Sequence, residues 1–177
     1  MAIQLATTIV AFLLGWQASV YGASEGIPFL GPVVVAVLLI VTAFTWTHPL
    51  QQLRIVCTFG VVGTVGESVM IGAGIYVPVE SFQNQLLCPL WITAIWVQAG
   101  LAAATLARWT PNRLLLLAAL LGAGGAAIGY PLAAWLGAIR PLVSPLVAVP
   151  IWTLSGAVLV PILLRISLKQ NGQVTKP

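Results

Sequence analysis

Apolar residues fill this chain in six runs of roughly twenty, each separated from the next by a short stretch holding glycine, proline or a charge. Apolar length and helix punctuation place membrane-spanning helices over 3–21, 28–46, 55–76, 87–107, 111–136 and 145–166, because crossing about 30 Å of hydrocarbon takes about 20 helical residues. Thr110-Pro111 and Ser144-Pro145 each read as an N-cap followed by proline at the first helical position, where its missing N–H does no harm. The pattern predicts an all-α, polytopic membrane bundle of six transmembrane helices, with 1–167 as a single membrane domain and 168–177 as a short polar cytoplasmic tail. A three-plus-three inverted arrangement fits the count, but the third and sixth runs share no pattern beyond small residues, so no internal repeat is assigned.

Composition agrees. The 177 residues are 60% hydrophobic and 6% charged with a mean hydropathy of +1.06, whereas about a quarter of a soluble domain is charged. Six spans use nearly the whole chain and leave no room for a soluble catalytic or nucleotide-binding domain. The net charge of +4 comes from residues scattered at the ends of apolar runs, which gives them a topological role and no nucleic-acid partner. Arg54, Arg108, Arg113, Arg165, Lys169 and Lys176 fall on one side and Arg140 alone on the other with Glu25 and Glu80, which puts both termini in the cytoplasm. The first run lacks a basic leader and reads as an uncleaved helix.

Tryptophans at 16, 46, 91, 109 and 135 lie near span ends, where indoles settle at the membrane interface; Trp96 and Trp152 lie nearer mid-span. The most informative residue is Glu67, one acid in the long apolar run 55–76. A carboxyl at the bilayer centre costs about 3 kcal/mol, so it faces protein or water with a hydrogen-bond partner. Gln98, the second large polar residue at depth, is the preferred contact, with Tyr130 and Ser68 as further candidates beside Trp96 and Trp152. Either the acid serves packing alone or it marks a site for a ligand or a proton. Gly60, Gly63 and Gly66 form a small-residue stripe beside it, and Gly122, Gly125 and Gly129 form another on the fifth span with Ala118 and Ala126; both suit close helix packing or dimerisation. Pro131 and Pro150 are expected to break or bend their helices.

Other chemistry is sparse. His48 stands alone in the second loop, which suits neither a metal centre nor a catalytic dyad. Cys57 and Cys88 fall at opposite ends of neighbouring spans, too far apart for a disulfide. No cofactor is expected, and no second acid or histidine near Glu67 supports an enzyme.

Taken from Gly15-Trp16 through Gly26-Ile27-Pro28, Gly31-Pro32, Gly63-Thr64-Val65-Gly66-Glu67-Ser68, Pro89-Leu90-Trp91, Trp96, Gly129-Tyr130-Pro131 and Leu136-Gly137-Ala138, the chain resembles a bacterial family of small polytopic inner-membrane proteins that carries a domain-of-unknown-function label. The resemblance implies an acid at position 67, usually aspartate in the family, and departs at Gly129-Tyr130-Pro131, where the family has glycine-proline with a later tyrosine. It also implies an inner-membrane location and genes beside those for fatty-acyl modification, such as cyclopropane-synthase-like methyltransferases, with membrane lipids as partners. Three functions stay open: binding or transport of a small or lipid-like ligand at a midplane polar site around Glu67; a non-catalytic accessory subunit that packs on a membrane-protein partner or a second copy through the fifth-span row; and the substrate-binding subunit of a vitamin importer, for which Ala11, Gly15 and Ser19 give a poor version of the coupling face.

Overall fold

Two of the long helices end where a glycine turns the chain, and each of these turns leads into a short strand of the one small sheet found among the described residues. The computed structural model describes residues 2–46, 48–79, 87–106 and 114–170. Its elements are α1 (Ala2–Ser24), α2 (Leu30–Ala43), α3 (Pro49–Gly72), β1 (Tyr76–Pro78), α4 (Leu90–Leu106), α5 (Leu114–Trp135), β2 (Ile139–Pro141) and α6 (Pro145–Gln170). Successive helices alternate in direction, and the strands lie where α3 and α5 finish, which defines the strand end of the bundle; the other is the terminal end.

The six expected helices are present, with shifted bounds. The third begins at Pro49 rather than 55, because proline is at home in a first helical turn and its polar neighbours can lie where the helix leaves the apolar layer. It stops at Gly72, and Gly74 at φ +71° takes the left-handed position that ends a helix. The Gly74 N–H reaches the Ile71 carbonyl and the Ile75 N–H the Met70 carbonyl, so residues 75–76 turn back instead of extending the rod. α2 and α4 are shorter than the expected spans, at 14 and 17 residues. α6 starts at Pro145, with the Ser144 carbonyl accepting from Val147 and Ala148. Helices α5 and α6 continue through Pro131, Pro150 and Pro161, so the expected interruptions do not occur. The Thr110-Pro111 cap and Trp109 lie outside the described residues.

The helices turn their apolar rows outward. Val33, Val37 and Val41 on α2, Val61, Val65 and Val69 on α3, and Leu154, Val158, Ile162 and Ile166 on α6 are all exposed at fourfold spacing, which is one face of each helix. Contiguous apolar faces of that extent suit acyl chains, not water. α3, α5 and α6 are long and apolar enough to cross a membrane. This is a helical membrane protein.

The structure also reveals an internal repeat that the sequence reading did not assign. β1 pairs antiparallel with β2 in the register Tyr76–Pro141, Val77–Arg140 and Pro78–Ile139. That register is symmetric about Val77 and Arg140, and it equates residue n with residue n + 63: Gly66 with Gly129, Gly74 with Gly137, Pro78 with Pro141. The flanking bonds obey the same rule, since Val79 donates to the Ala138 carbonyl and Leu142 to the Ile75 carbonyl, both at 3.0 Å. Gly137, at φ +83°, ends α5 with the same pair of backbone bonds that end α3. After the strands, Pro89-Leu90 and Ile95-Trp96 match Pro145-Leu146 and Ile151-Trp152 at an offset of 56, because the first unit carries a longer link into its second helix. Packing follows suit: a Cβ on Gly100 would meet Phe59, and one on Gly156, 56 residues on, would meet Gly122, 63 residues after Phe59. Thus α3–β1–α4 and α5–β2–α6 are two copies of one unit about an axis along the bundle, a parallel repeat rather than the inverted one weighed from span count.

The symmetry is broken in one place. α3 packs on α6, but the equivalent pair, α5 and α4, stands apart around a cavity that α1 borders from the other side. The α1–α2 pair packs on α4 and belongs to neither copy.

Candidate functional site

Glu67 lies five residues before the end of α3, so at 1.5 Å per residue its Cα is about 8 Å below the strand end and not at the middle of the helix. Its side chain is 1% exposed and turned inward. Three donors converge on it. Tyr76 Oη donates to Oε2 at 2.5 Å, Trp96 Nε1 donates to Oε1 at 3.0 Å, and Tyr130 Oη donates to Oε1. A buried carboxyl is tolerable when its oxygens are so supplied.

Each donor has a reason to be there. Tyr130 is the residue 63 positions after Glu67, so the repeat places the two opposite one another across its axis. Trp96 and Trp152 are likewise equivalent. The Trp152 ring stacks on Tyr130 at 4.8 Å and 8°, and Tyr76 stands edge-on to both, 5.9 Å from Tyr130 and 6.3 Å from Trp152. Gly63 makes room for Trp96: a Cβ there would overlap the indole. Tyr76, fully buried, is the functional residue that the sequence reading missed. The signal was Gly72-Ala73-Gly74, a helix-stop pattern that turns residue 76 back onto the bundle.

The remaining candidates fall as follows. Gln98 does not meet Glu67; its Nε2 donates to the Ala11 carbonyl at 2.7 Å, and its amide packs on Gly15 of α1. Residues two apart on a helix point about 200° apart, so once Trp96 faces Glu67, Gln98 must face away. Ser68 latches helices instead of touching the acid: its hydroxyl bonds the Thr64 carbonyl at 2.8 Å and accepts the Cys88 N–H at 3.0 Å. Trp152 supports Tyr130 and makes no bond to Glu67. Gly60 lies against Val97, Gly66 at ordinary contact from Leu159, and Gly122 so close to Gly156 that a Cβ would overlap its carbonyl. Gly125 has open space beside it, and Gly129 stands near the Trp16 ring nitrogen. Trp91, expected at the interface, is 2% exposed and packs in the core. His48 caps α3 at the surface, and Cys57 and Cys88 are free thiols.

Beside the acid lies a cavity of about 640 Å³, within the size range of small-molecule sites. It runs along α5 from Leu117 to Ala133, about 24 Å at the helical rise, between α1, α4, α5 and α6. Its walls are mostly aliphatic and aromatic side chains and glycine, with the hydroxyls of Thr8 and Ser155 among them, and Glu67 is the one charged residue among those that line it. Glu67, Trp96 and Tyr130 enter the wall near the strand end, so the cavity has an apolar length and a polar head.

Fold and site together define a class: a helical membrane protein with a duplicated helix–strand–helix core and a buried, aromatic-caged carboxyl at the head of an apolar cavity. The chain belongs to the family described as protein of unknown function (DUF2878), whose model matches residues 5–162. No curated protein and no solved structure matches it.

Proposed function

We propose that the protein binds a lipid-like amphipath in the cavity between α4 and α5, with the ligand's head at Glu67 and its tail along the apolar length. Six membrane crossings with both termini in the cytoplasm belong to the same reading, on the charge asymmetry of the sequence. The observation that carries it is the broken symmetry: the repeat brings α3 and α6 together, yet the equivalent α4–α5 contact is opened into a cavity whose charged wall residue is the buried acid. The site serves binding first; movement of the ligand across or out of the membrane would use the same groove.

A partner subunit docked on the fifth-span row is the second reading, because Ala118, Gly122, Gly125 and Gly129 line this same groove and Gly125 is exposed in it. A third reading loses its footing. A vitamin-importer subunit needs the Ala11, Gly15 and Ser19 face free, but the Ala11 carbonyl and Gly15 engage Gln98, and Ser19 packs under Gly31.

The test is to fill the groove. Gly125→Leu places a side chain where nothing lies within 4 Å of the Cβ and the cavity begins; Gly124→Leu also meets open space but lies off the cavity wall. Protein purified in mild detergent is extracted and its co-purified lipid measured by mass spectrometry. Wild type and Gly124→Leu retain a defined lipid at near-stoichiometric level, and Gly125→Leu loses it. Equal lipid in all three would reject the proposal.

A further inference from the structure

Exposure falls in step along two walls of the cavity. α1 and α5 run in the same direction, and each turns one stripe toward the cavity. On α1, Ile9 and Leu13 are exposed, Trp16 is half-buried and Val20 is fully buried; on α5, Leu121 and Gly125 are exposed, Gly129 is half-buried and Ala133 is buried. The two changes fall at one level, because a Cβ on Gly129 would lie 3.7 Å from the Trp16 ring nitrogen. On the terminal side of that contact the cavity is a slot with an exposed rim. On the strand side it is a chamber with Glu67 and Tyr130 in its wall and the buried Ile139 of β2 as its roof. Leu13 and Gly125 stand about 15 Å from the strand end at the helical rise, half the thickness of a hydrocarbon layer of about 30 Å, so the slot faces acyl chains and not water. Its width is written into both helices: Ala118, Gly122 and Gly125 stand where the first repeat has Ile55, Phe59 and Val62, and Ala102 and Ala103 where the second has Val158 and Leu159.

From this geometry, and resting on the binding reading above, we infer that the ligand is drawn from the bilayer itself through a lateral gate between α1 and α5, with Trp16 as the gate residue. The polar end passes between Trp16 and Gly129 to reach Glu67, while the chain or chains lie in the open slot against the surrounding lipid. Glu67 is about 8 Å from the strand end, so the head moves sideways at a shallow depth and never crosses the costly centre of the membrane. Water on the strand side is shut out at the roof, where Tyr76, Ala138 and Ile139 are all buried. Trp16 is suited to swing. Among the described residues its indole N–H makes no hydrogen bond, whereas that of Trp96 is tied to Glu67, and the residue facing it is a glycine, so only ring surface has to part. α1 packs on α2 and α4, so it stays seated when its contact with α5 opens.

The experiment locks the gate reversibly. Trp16→Cys and Gly129→Cys are combined in a full chain with Cys57 and Cys88 replaced by alanine, and the pair is bridged by a short bifunctional thiosulfonate that a reducing agent removes. Protein carrying its co-purified lipid is reconstituted into a large excess of dioleoyl phosphatidylcholine vesicles and recovered at intervals in mild detergent, and the co-purified lipid still bound is measured by mass spectrometry. The bridged protein is expected to release that lipid at least about tenfold more slowly than the same protein after reduction, and Trp16→Ala at least about tenfold faster than wild type, each the effect of about 1.4 kcal/mol on a barrier. Bridging between Val77→Cys and Arg140→Cys at the sheet is expected to leave release unchanged. Equal release from the bridged and reduced protein overturns the gate and leaves the binding reading standing, and so does a pair that cannot be bridged, since α1 and α5 then do not meet at that level. Wild type that retains no lipid overturns both. If the double-cysteine protein does not hold lipid, wild type against Trp16→Ala, both checked for helix content by circular dichroism, decides the matter, and equal release rates overturn the gate.

Discussion

Gly122 and Gly125 stand three residues apart on α5, both line the cavity, and the structure assigns them opposite responses to one added methyl group. A Cβ at Gly122 would overlap the Gly156 carbonyl and approach the Val160 side chain at 2.9 Å, so backbone must move to admit it; a Cβ at Gly125 meets nothing within 4 Å. Replacing glycine by alanine in a helix is worth up to about 1 kcal/mol in either place, and that contribution cancels in the comparison. What remains is the overpacking at Gly122, about 1–3 kcal/mol for atoms forced into a packed contact. Gly125→Ala is therefore expected to equal or exceed wild type in stability, and Gly122→Ala to fall about 1–3 kcal/mol below Gly125→Ala. Reversible unfolding in mixed micelles of mild and denaturing detergent, followed by circular dichroism, measures both free energies. Equal stabilities, or the reverse order, would refute the close α5–α6 contact and the cavity beside it together.

Several further outcomes follow from the same geometry. Gly63→Ala drives a methyl into the Trp96 indole, and its loss of the Trp96–Glu67 bond is read as a shift in tryptophan emission together with lowered stability. Tyr76→Phe removes a donor from a buried carboxyl and is expected to cost about 1–3 kcal/mol in the same unfolding assay; a change under 0.5 kcal/mol would mean that the bond is absent. Gly74→Ala and Gly137→Ala each put a side chain into the left-handed region, at about 1–2 kcal/mol apiece, and the repeat predicts similar losses at the two sites. The pair Val77→Cys and Arg140→Cys, in a chain with Cys57 and Cys88 replaced by alanine, is expected to form a disulfide under mild oxidation, whereas Val77→Cys with Leu142→Cys is not; crosslinking yields on a gel test the strand register.

How much of this was legible beforehand depends on which physical quantity each feature needs. Helix number needs only apolar length, and the six runs supplied it. Helix ends needed turn chemistry: Pro49 and Gly74 carried the information, but the uninterrupted apolarity of 55–76 concealed that residue 76 had left the helix. Glu67 stood out because a lone acid in an apolar run must be satisfied inside, whatever the fold. Its partners did not, because a helix that is apolar all round does not announce which face is inward, and choosing Gln98 over Trp96 amounted to choosing one of two nearly opposite faces. The duplication was hidden by its uneven linkers: an offset of 63 in the first helices and 56 in the second blurs any single-register comparison, and the symmetric strand pair makes both offsets visible. The cavity was beyond reach altogether, since it arises from a contact that one copy makes and the other does not.

The central claim is that the gap between α4 and α5 holds a chain-like ligand with its head at Glu67, and an electron cryomicroscopy map of the protein in nanodiscs formed from its native membrane tests it directly. The account predicts continuous, tubular density along Leu117, Gly125 and Ala133, ending against the Glu67–Tyr130–Trp96 cluster and next to Trp91. Helices α4 and α5 packed tightly together, with Glu67 sealed inside and no density beside it, would contradict it.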